Sequence, residues 1–197
     1  MTLNKITGEK GEIILADPPL AHALFSTTRF AWLFAIIRIY LGYEWIQASL
    51  HKVTDPGWVQ TGEALKGFWM RAVAIPDTGR PVIAFDWYRG FIQFLLDTGS
   101  YTWFGKLIAY GELLIGIGLV VGAFVGIAAF FGALMNWNFI MAGAASTNAL
   151  LFTLAIVLML AWKVAGYYGL DYYLLPFLGT PWGRNRQKMA PVGGASI

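Results

Sequence analysis

The chain has 197 residues, a formal net charge of +3, 57% hydrophobic and only 13% charged residues, and a mean hydropathy of +0.58. This length favours one domain, and this apolar content lies outside the range of soluble domains. The absence of cysteine excludes disulfides, thiolate metal sites, iron–sulfur clusters and thiol chemistry on this chain, and scattered basic residues argue against a nucleic-acid partner.

In chain order, residues 1–29 form a polar head, in which Lys5, Glu9, Lys10, Glu12 and Asp17 precede Pro18 and Pro19. No continuous apolar stretch precedes a small-residue cleavage site, so the pattern is not that of a secretory signal. Leu20–Phe25 reads as a short interfacial segment. A bilayer core of about 30 Å needs about 20 mostly apolar helical residues. Residues 30–50, 103–121, 123–141 and 149–167 satisfy that requirement. Gly122 separates the second and third so closely that they must form a tight hairpin. Ala142–Asn148 joins the third and fourth, with Thr147 or Asn148 available to cap the fourth. Residues 168–197 form a tail.

Residues 51–102 are too polar to span and too aromatic for a slack linker. Asp55 followed by Pro56 predicts a helix starting there and running to about Val73. The run Ile75–Pro81 is turn chemistry, and a second amphipathic helix is expected from Asp86 to Leu96. Trp58, Phe68, Trp69, Phe85, Trp87, Tyr88, Phe91 and Phe94 suit a cap at the membrane interface, as a lid or as plain anchoring. The reading is an all-α integral membrane protein: a bundle of four transmembrane helices with a long helical extramembrane loop between the first and second spans. Four spans put both termini on one side. In the loop Lys52, Lys66, Arg71, Arg80 and Arg89 are balanced by acids, whereas the tail carries Arg184, Arg186 and Lys188 with no acid nearby, so cytoplasmic termini are expected.

Ionisable residues inside hydrocarbon cost about 2.5–3.5 kcal/mol each at a helix centre, so each needs a reason. On the first span, Arg38, Gly42, Trp45, Ser49 and Lys52 fall on one stripe, and Tyr40, Glu44, Gln47 and His51 on another. Glu112 lies in the second span, and Asn136 and Asn138 in the third. Two readings stand. Arg38, Glu44 and Glu112 pair with one another to hold the bundle, Arg38 and Glu112 facing its interior within an ion-pair or water-bridged distance. Alternatively they line a polar cavity for a substrate or quinone head group, with Glu44 or Glu112 carrying protons. Lys52, Lys106 and Lys163 sit near helix ends, where snorkelling accounts for them.

Several short motifs then fall in order: Arg38-Ile-Tyr-Leu-Gly42, Leu50-His-Lys-Val-Thr-Asp-Pro-Gly-Trp58, Tyr110-Gly-Glu112, Met135-Asn-Trp-Asn138 and Gly166-Tyr-Tyr-Gly-Leu-Asp171. Over residues 30–178 the chain resembles the DoxX superfamily of four-helix membrane proteins, and within it the DoxD-like branch, which carries a longer insertion after the first helix.

That resemblance implies the membrane subunit of a thiosulfate:quinone oxidoreductase, in a prokaryotic cell membrane and paired with other redox subunits. Quinone is the implied cofactor. With His22 and His51 the only imidazoles, no haem, iron–sulfur cluster or metal is expected on this chain. Two thiosulfates give tetrathionate and two electrons, and the quinone takes those electrons with two protons. Arg38, Glu44, His51, Lys52 and Glu112 are the candidate catalytic residues, with Glu44, Glu112 or His51 relaying protons. Lys52, Lys66, Arg71 and Arg89 would draw in the dianion, and Trp45, Trp58, Trp69 and Trp103 would frame the ring. Trp45, Trp103 and Asn136 are the candidate cofactor contacts. A non-catalytic accessory subunit of a larger membrane redox complex is the alternative, and a small transporter the third choice.

Overall fold

The computed structural model describes residues 17–178, together with the paired two-residue strands β1 (Ile6–Thr7) and β2 (Ile13–Ile14). Most of the polar head, and Arg184, Arg186 and Lys188 of the tail, lie outside the described residues. The remaining elements are helical. A short α1 (Pro19–Phe25) and a 3-10 turn at Thr28–Phe30 lead into α2 (Ala31–Thr54). Then come α3 (Pro56–Val59), α4 (Glu63–Val73), α5 (Asp86–Asp97), α6 (Tyr101–Val121), α7 (Val125–Met141), α8 (Ser146–Leu160), α9 (Trp162–Ala165) and α10 (Asp171–Phe177).

Among the described residues, α6 alone is long and apolar enough to cross a bilayer by itself. Helix α2 passes only together with α1, across a bend of 59°. Helices α7 and α8, of 17 and 15 residues, are apolar but short. The expected fourth span is broken at Ala161 and continues as α9. Thr147 and Asn148 lie inside the first turn of α8 rather than capping it, and the Asn148 amide donates to the Ala144 carbonyl at 2.6 Å.

Helices α2 and α6 cross where glycine permits backbone contact. A Cβ on Gly42 would sit 2.8 Å from the Gly116 carbonyl oxygen, and one on Gly116 would sit 2.9 Å from that of Gly42. The expected stripe of α2 is its buried face: Arg38, Gly42, Trp45 and Ser49 are buried, while Tyr40, Gln47 and His51 are exposed. Phe34, Leu41 and Trp45 meet Ile115 and Leu119 of α6, Ala129 and Ala133 of α7, and Leu151, Ala155 and Leu158 of α8 in one core. Side chains on the outer faces, such as Ile36, Leu114, Ile117, Phe130 and Leu160, are large, apolar and exposed.

The segment between α2 and α6 packs as a second core of Leu65, Trp69, Ile83, Tyr88, Ile92 and Leu95 against Ile108 and Ala142. Asp55 starts α3 as expected, its carboxylate accepting the Gly57 N–H at 2.7 Å. The helix does not run on to Val73. It breaks before Gly62, whose backbone is left-handed (φ 76°) and pressed so closely on α6 that a Cβ would lie 2.3 Å from the Tyr101 carbonyl oxygen. The break lets the loop backbone lie against the start of α6. Of the aromatics expected to be covered, Trp69 is buried and Trp58 and Phe68 are half-buried, while Trp87 and Phe91 stay exposed.

Candidate functional site

The α2–α6 crossing sets two polar stations facing each other. Lys52, in the last turn of α2, places its Nζ 2.6 Å from both carboxylate oxygens of Glu112 on α6. The Glu112 side chain is 1% exposed and that of Lys52 14%. The ammonium also lies 5.3 Å from the Trp58 ring centroid and 5.5 Å from that of Phe139, so the faces carboxylate leaves are covered by π-systems. The expectation that Lys52 snorkels to the interface is corrected: a buried carboxylate one helix away is the nearer partner.

A cavity of about 560 Å³ opens on this pair. Glu44, Trp45, His51 and Lys52 of α2, Glu112 of α6, Trp58 and Arg71 of the cap, and Thr147 and Asn148 of α8 line it. Five of the sequence-derived site residues, Glu44, Trp45, His51, Lys52 and Glu112, thus come together. Arg38, Trp103 and Asn136 do not line it.

Arg38 is buried, but its expected pairing with Glu112 is overturned. Its Nη1 donates to the Leu119 carbonyl and to that of Val120 at 2.8 Å, and its Nη2 donates to the Tyr168 carbonyl at 3.1 Å. It therefore satisfies the open carbonyls at the C-terminus of α6, which lack intrahelical partners. Fourteen helical residues separate Arg38 from Lys52, or about 21 Å along the axis. Beside it, the Asp171 carboxylate accepts the N–H groups of Phe124 at 2.6 Å and Val125 at 2.9 Å, capping α7 from another part of the chain. These contacts make the Arg38 end a structural clasp.

Trp103 is 53% exposed and rests on Phe104, with ring centroids 4.8 Å apart. Asn136 is fully buried, and among the described residues its amide nitrogen and oxygen meet no hydrogen-bond partner, nor does the buried Trp45 Nε1. Asn136 shares a helix face with Gly132, where a Cβ would lie 3.2 Å from Trp45 Nε1. Of the cations expected at the mouth, Arg71 lines the cavity with Lys52. Lys66 instead bonds Glu63 at 3.1 Å, which holds its ammonium above the usual lysine range, and Arg89 pairs with Asp86.

Sequence reasoning missed Phe139, Ala144 and Leu151 as cavity walls; Phe139 and Leu151 belong to ordinary apolar runs and Ala144 to the connection between α7 and α8, and nothing local marks them. It also missed a second cavity of about 510 Å³ between the cap and α6–α7, lined almost wholly by apolar side chains including Trp69, Phe104, Ile108 and Met135. Phe68 and Phe139 line both cavities. The polar contact at its wall is Tyr88, whose hydroxyl lies 3.1 Å from both the backbone carbonyl and the Oδ1 of Asn138. Burial pushes the Tyr88 phenol up to about 12.

No family model matches the chain, and neither a curated protein nor a solved structure matches it. The likeness to the DoxX superfamily rests on the residues of the sequence alone.

Proposed function

We propose that the chain is a four-span membrane protein whose Lys52–Glu112 cavity receives the head group of a quinone, as the membrane subunit of a quinone-linked oxidoreductase of the thiosulfate:quinone type. The observation that carries this reading is a buried, doubly hydrogen-bonded Lys52–Glu112 pair in the wall of a cavity that Trp45, Trp58, Phe68 and Phe139 also line. A charged pair costs too much to bury without use, and an intramembrane ionisable residue marks a functional site by default. In this reading α2, α6, α7 and α8 with α9 are the spans. Shortness of α7 and α8 is met by tilt of their neighbours and local bilayer thinning. The termini face the cytoplasm and the cap faces the other side of a prokaryotic cell membrane.

The wall residues suit a quinone. A quinone carbonyl needs N–H or O–H donors, and the cavity offers Lys52, His51 and Arg71. A bound quinone supplies acceptance of two electrons and two protons. Glu44, His51 and Glu112 are the groups that hold protons beside it, within reach of solvent through the exposed His51. Arg71 and the start of α8 at Thr147 give the mouth a positive bias toward an anionic reductant such as thiosulfate. The electrons reach the quinone through a partner subunit or by direct reaction.

A second reading has one observation in its favour. Trp87 stacks on Trp137 with centroids 6.4 Å apart, and with exposed Phe85 and Phe91 forms an outward aromatic face suited to docking a larger redox complex. The test is purification in mild detergent, extraction of bound quinone, and thiosulfate-dependent quinone reduction by membranes. Quinone that copurifies with the wild type and is lost in Lys52→Met supports the first reading. A chain free of quinone that travels with a redox complex supports the second.

A further inference from the structure

The apolar cavity between cap and bundle lies outside the proposed redox site and has its own chemistry. Its walls come from α4, α5, α6 and α7, and it holds about 510 Å³ that side chains do not fill. A dry void of that size forfeits dispersion contacts along its whole lining, so the fold is better packed with an apolar occupant than without. No charged side chain lines it, and Tyr88 and Asn138, its polar members, already bond each other. The space recognises a hydrocarbon chain and offers nothing to a polar head.

The mouth shows where such a chain would come from. Leu107, Leu114, Phe131 and Leu134 belong to the cavity lining and are 56%, 69%, 49% and 43% exposed. Helical spacing sets Leu114 one turn from Ile117 on α6 and Leu134 one turn from Phe130 on α7, so the mouth adjoins the outer apolar face that Ile117 and Phe130 present. In a bilayer that face is covered by lipid, so acyl chains are the most concentrated apolar ligand at the mouth and occupy it by mass action.

We propose that the α6–α7 cleft beneath the cap binds one acyl chain of a bilayer phospholipid, whose head group remains outside at the interface. The occupied cleft fixes the cap on the bundle, with the chain completing the core around Trp69. This inference rests on the membrane reading and not on quinone chemistry.

Gly111 provides the test. It lines the cleft, and a Cβ there meets only the Met135 sulfur at 3.9 Å, so Gly111→Leu fills the space without displacing backbone. Leu134→Trp, at the exposed rim, narrows the mouth and is independent of the interior. The full chain is reconstituted in phosphatidylcholine vesicles containing a phospholipid with a photoreactive group near the end of one acyl chain, and adducts are mapped by mass spectrometry. The expected result is labelling of Phe68, Trp69 and Met135 as well as of outer Ile117 and Phe130. In both variants the inner labelling is lost and the outer labelling kept. Labelling confined to Ile117 and Phe130 in the wild type overturns the cleft and leaves the membrane reading intact. No labelling at any of these positions overturns both. Displacement of the inner label by an uncharged polyprenol assigns the cleft to a prenyl chain and overturns the acyl assignment.

Discussion

The Nζ of Lys52 lies 2.6 Å from each carboxylate oxygen of Glu112, across sixty positions of sequence. The Glu112 carboxylate is almost wholly out of water and the Lys52 side chain mostly so, and neither charge is cheap to leave alone. Lys52→Met should lower stability in detergent by about 3–5 kcal/mol, because an unpaired carboxylate then stays buried. The double variant Lys52→Met, Glu112→Leu should recover most of that loss. Thermal unfolding of the single and double variants measures it, and equal loss in the two would remove the coupling.

Arg38 should behave differently. Its guanidinium bonds three carbonyls, from Leu119, Val120 and Tyr168, a geometry one ammonium cannot reproduce. Arg38→Lys should therefore cost about 1.5–3 kcal/mol, the range for buried charge-assisted hydrogen bonds. Quinone retention should be unchanged, since Arg38 does not line the cavity and the nearest lining residue of α2, Glu44, lies six residues, about 9 Å, along the helix. A variant that keeps its melting temperature and loses quinone would reassign Arg38 to the site.

Asn136 carries a prediction of opposite sign. Its amide is fully buried and meets no partner among the described residues, and an unpaired buried amide costs about 1–3 kcal/mol. Asn136→Leu should raise the melting temperature. A lower one would mean that the amide is bonded in the working protein, to water or to the quinone near Trp45.

Tyr88 gives a pH dependence. Its phenol is pushed up to about 12 by burial, whereas an unfolded tyrosine titrates near 10. The folded state holds the proton more tightly, so this contribution to stability is complete below about pH 10 and is lost as pH rises through about 12. Wild-type unfolding midpoints should fall across that window more steeply than those of Tyr88→Phe. Parallel curves would show that the hydroxyl is not buried against Asn138.

The helices were open to reading from sequence because long apolar runs and the Asp55-Pro56 start are local signals. So was the face of α2 that packs, since Arg38, Gly42, Trp45, Ser49 and Lys52 recur at helical spacing. Which charge meets which was not local. Lys52 reaches Glu112 only because Gly42 and Gly116 let two backbones touch, and Arg38 turns away only because the α6 C-terminus ends beside Tyr168. The break at Gly62 was hidden for the same reason: its cause is the Tyr101 backbone nearly forty residues on. Lining residues such as Phe139 are ordinary members of an apolar helix until a neighbour leaves them a gap.

The Asp171 carboxylate has a bearing on the order in which the protein is made. Phe124 and Val125 emerge during synthesis some forty-six residues before the side chain that accepts their N–H groups. Arg38 likewise waits for the carbonyl of Tyr168. Helices α2, α6, α7 and α8 are therefore all synthesised while the turn between α6 and α7 still lacks its partner, and the clasp closes only as the Gly166–Asp171 stretch arrives. A released chain truncated after Gly166 should have its helices formed but its α6–α7 turn open to protease. One ending beyond Phe177 should hold the same turn shut, and Asp171→Ala in that longer chain should leave it open.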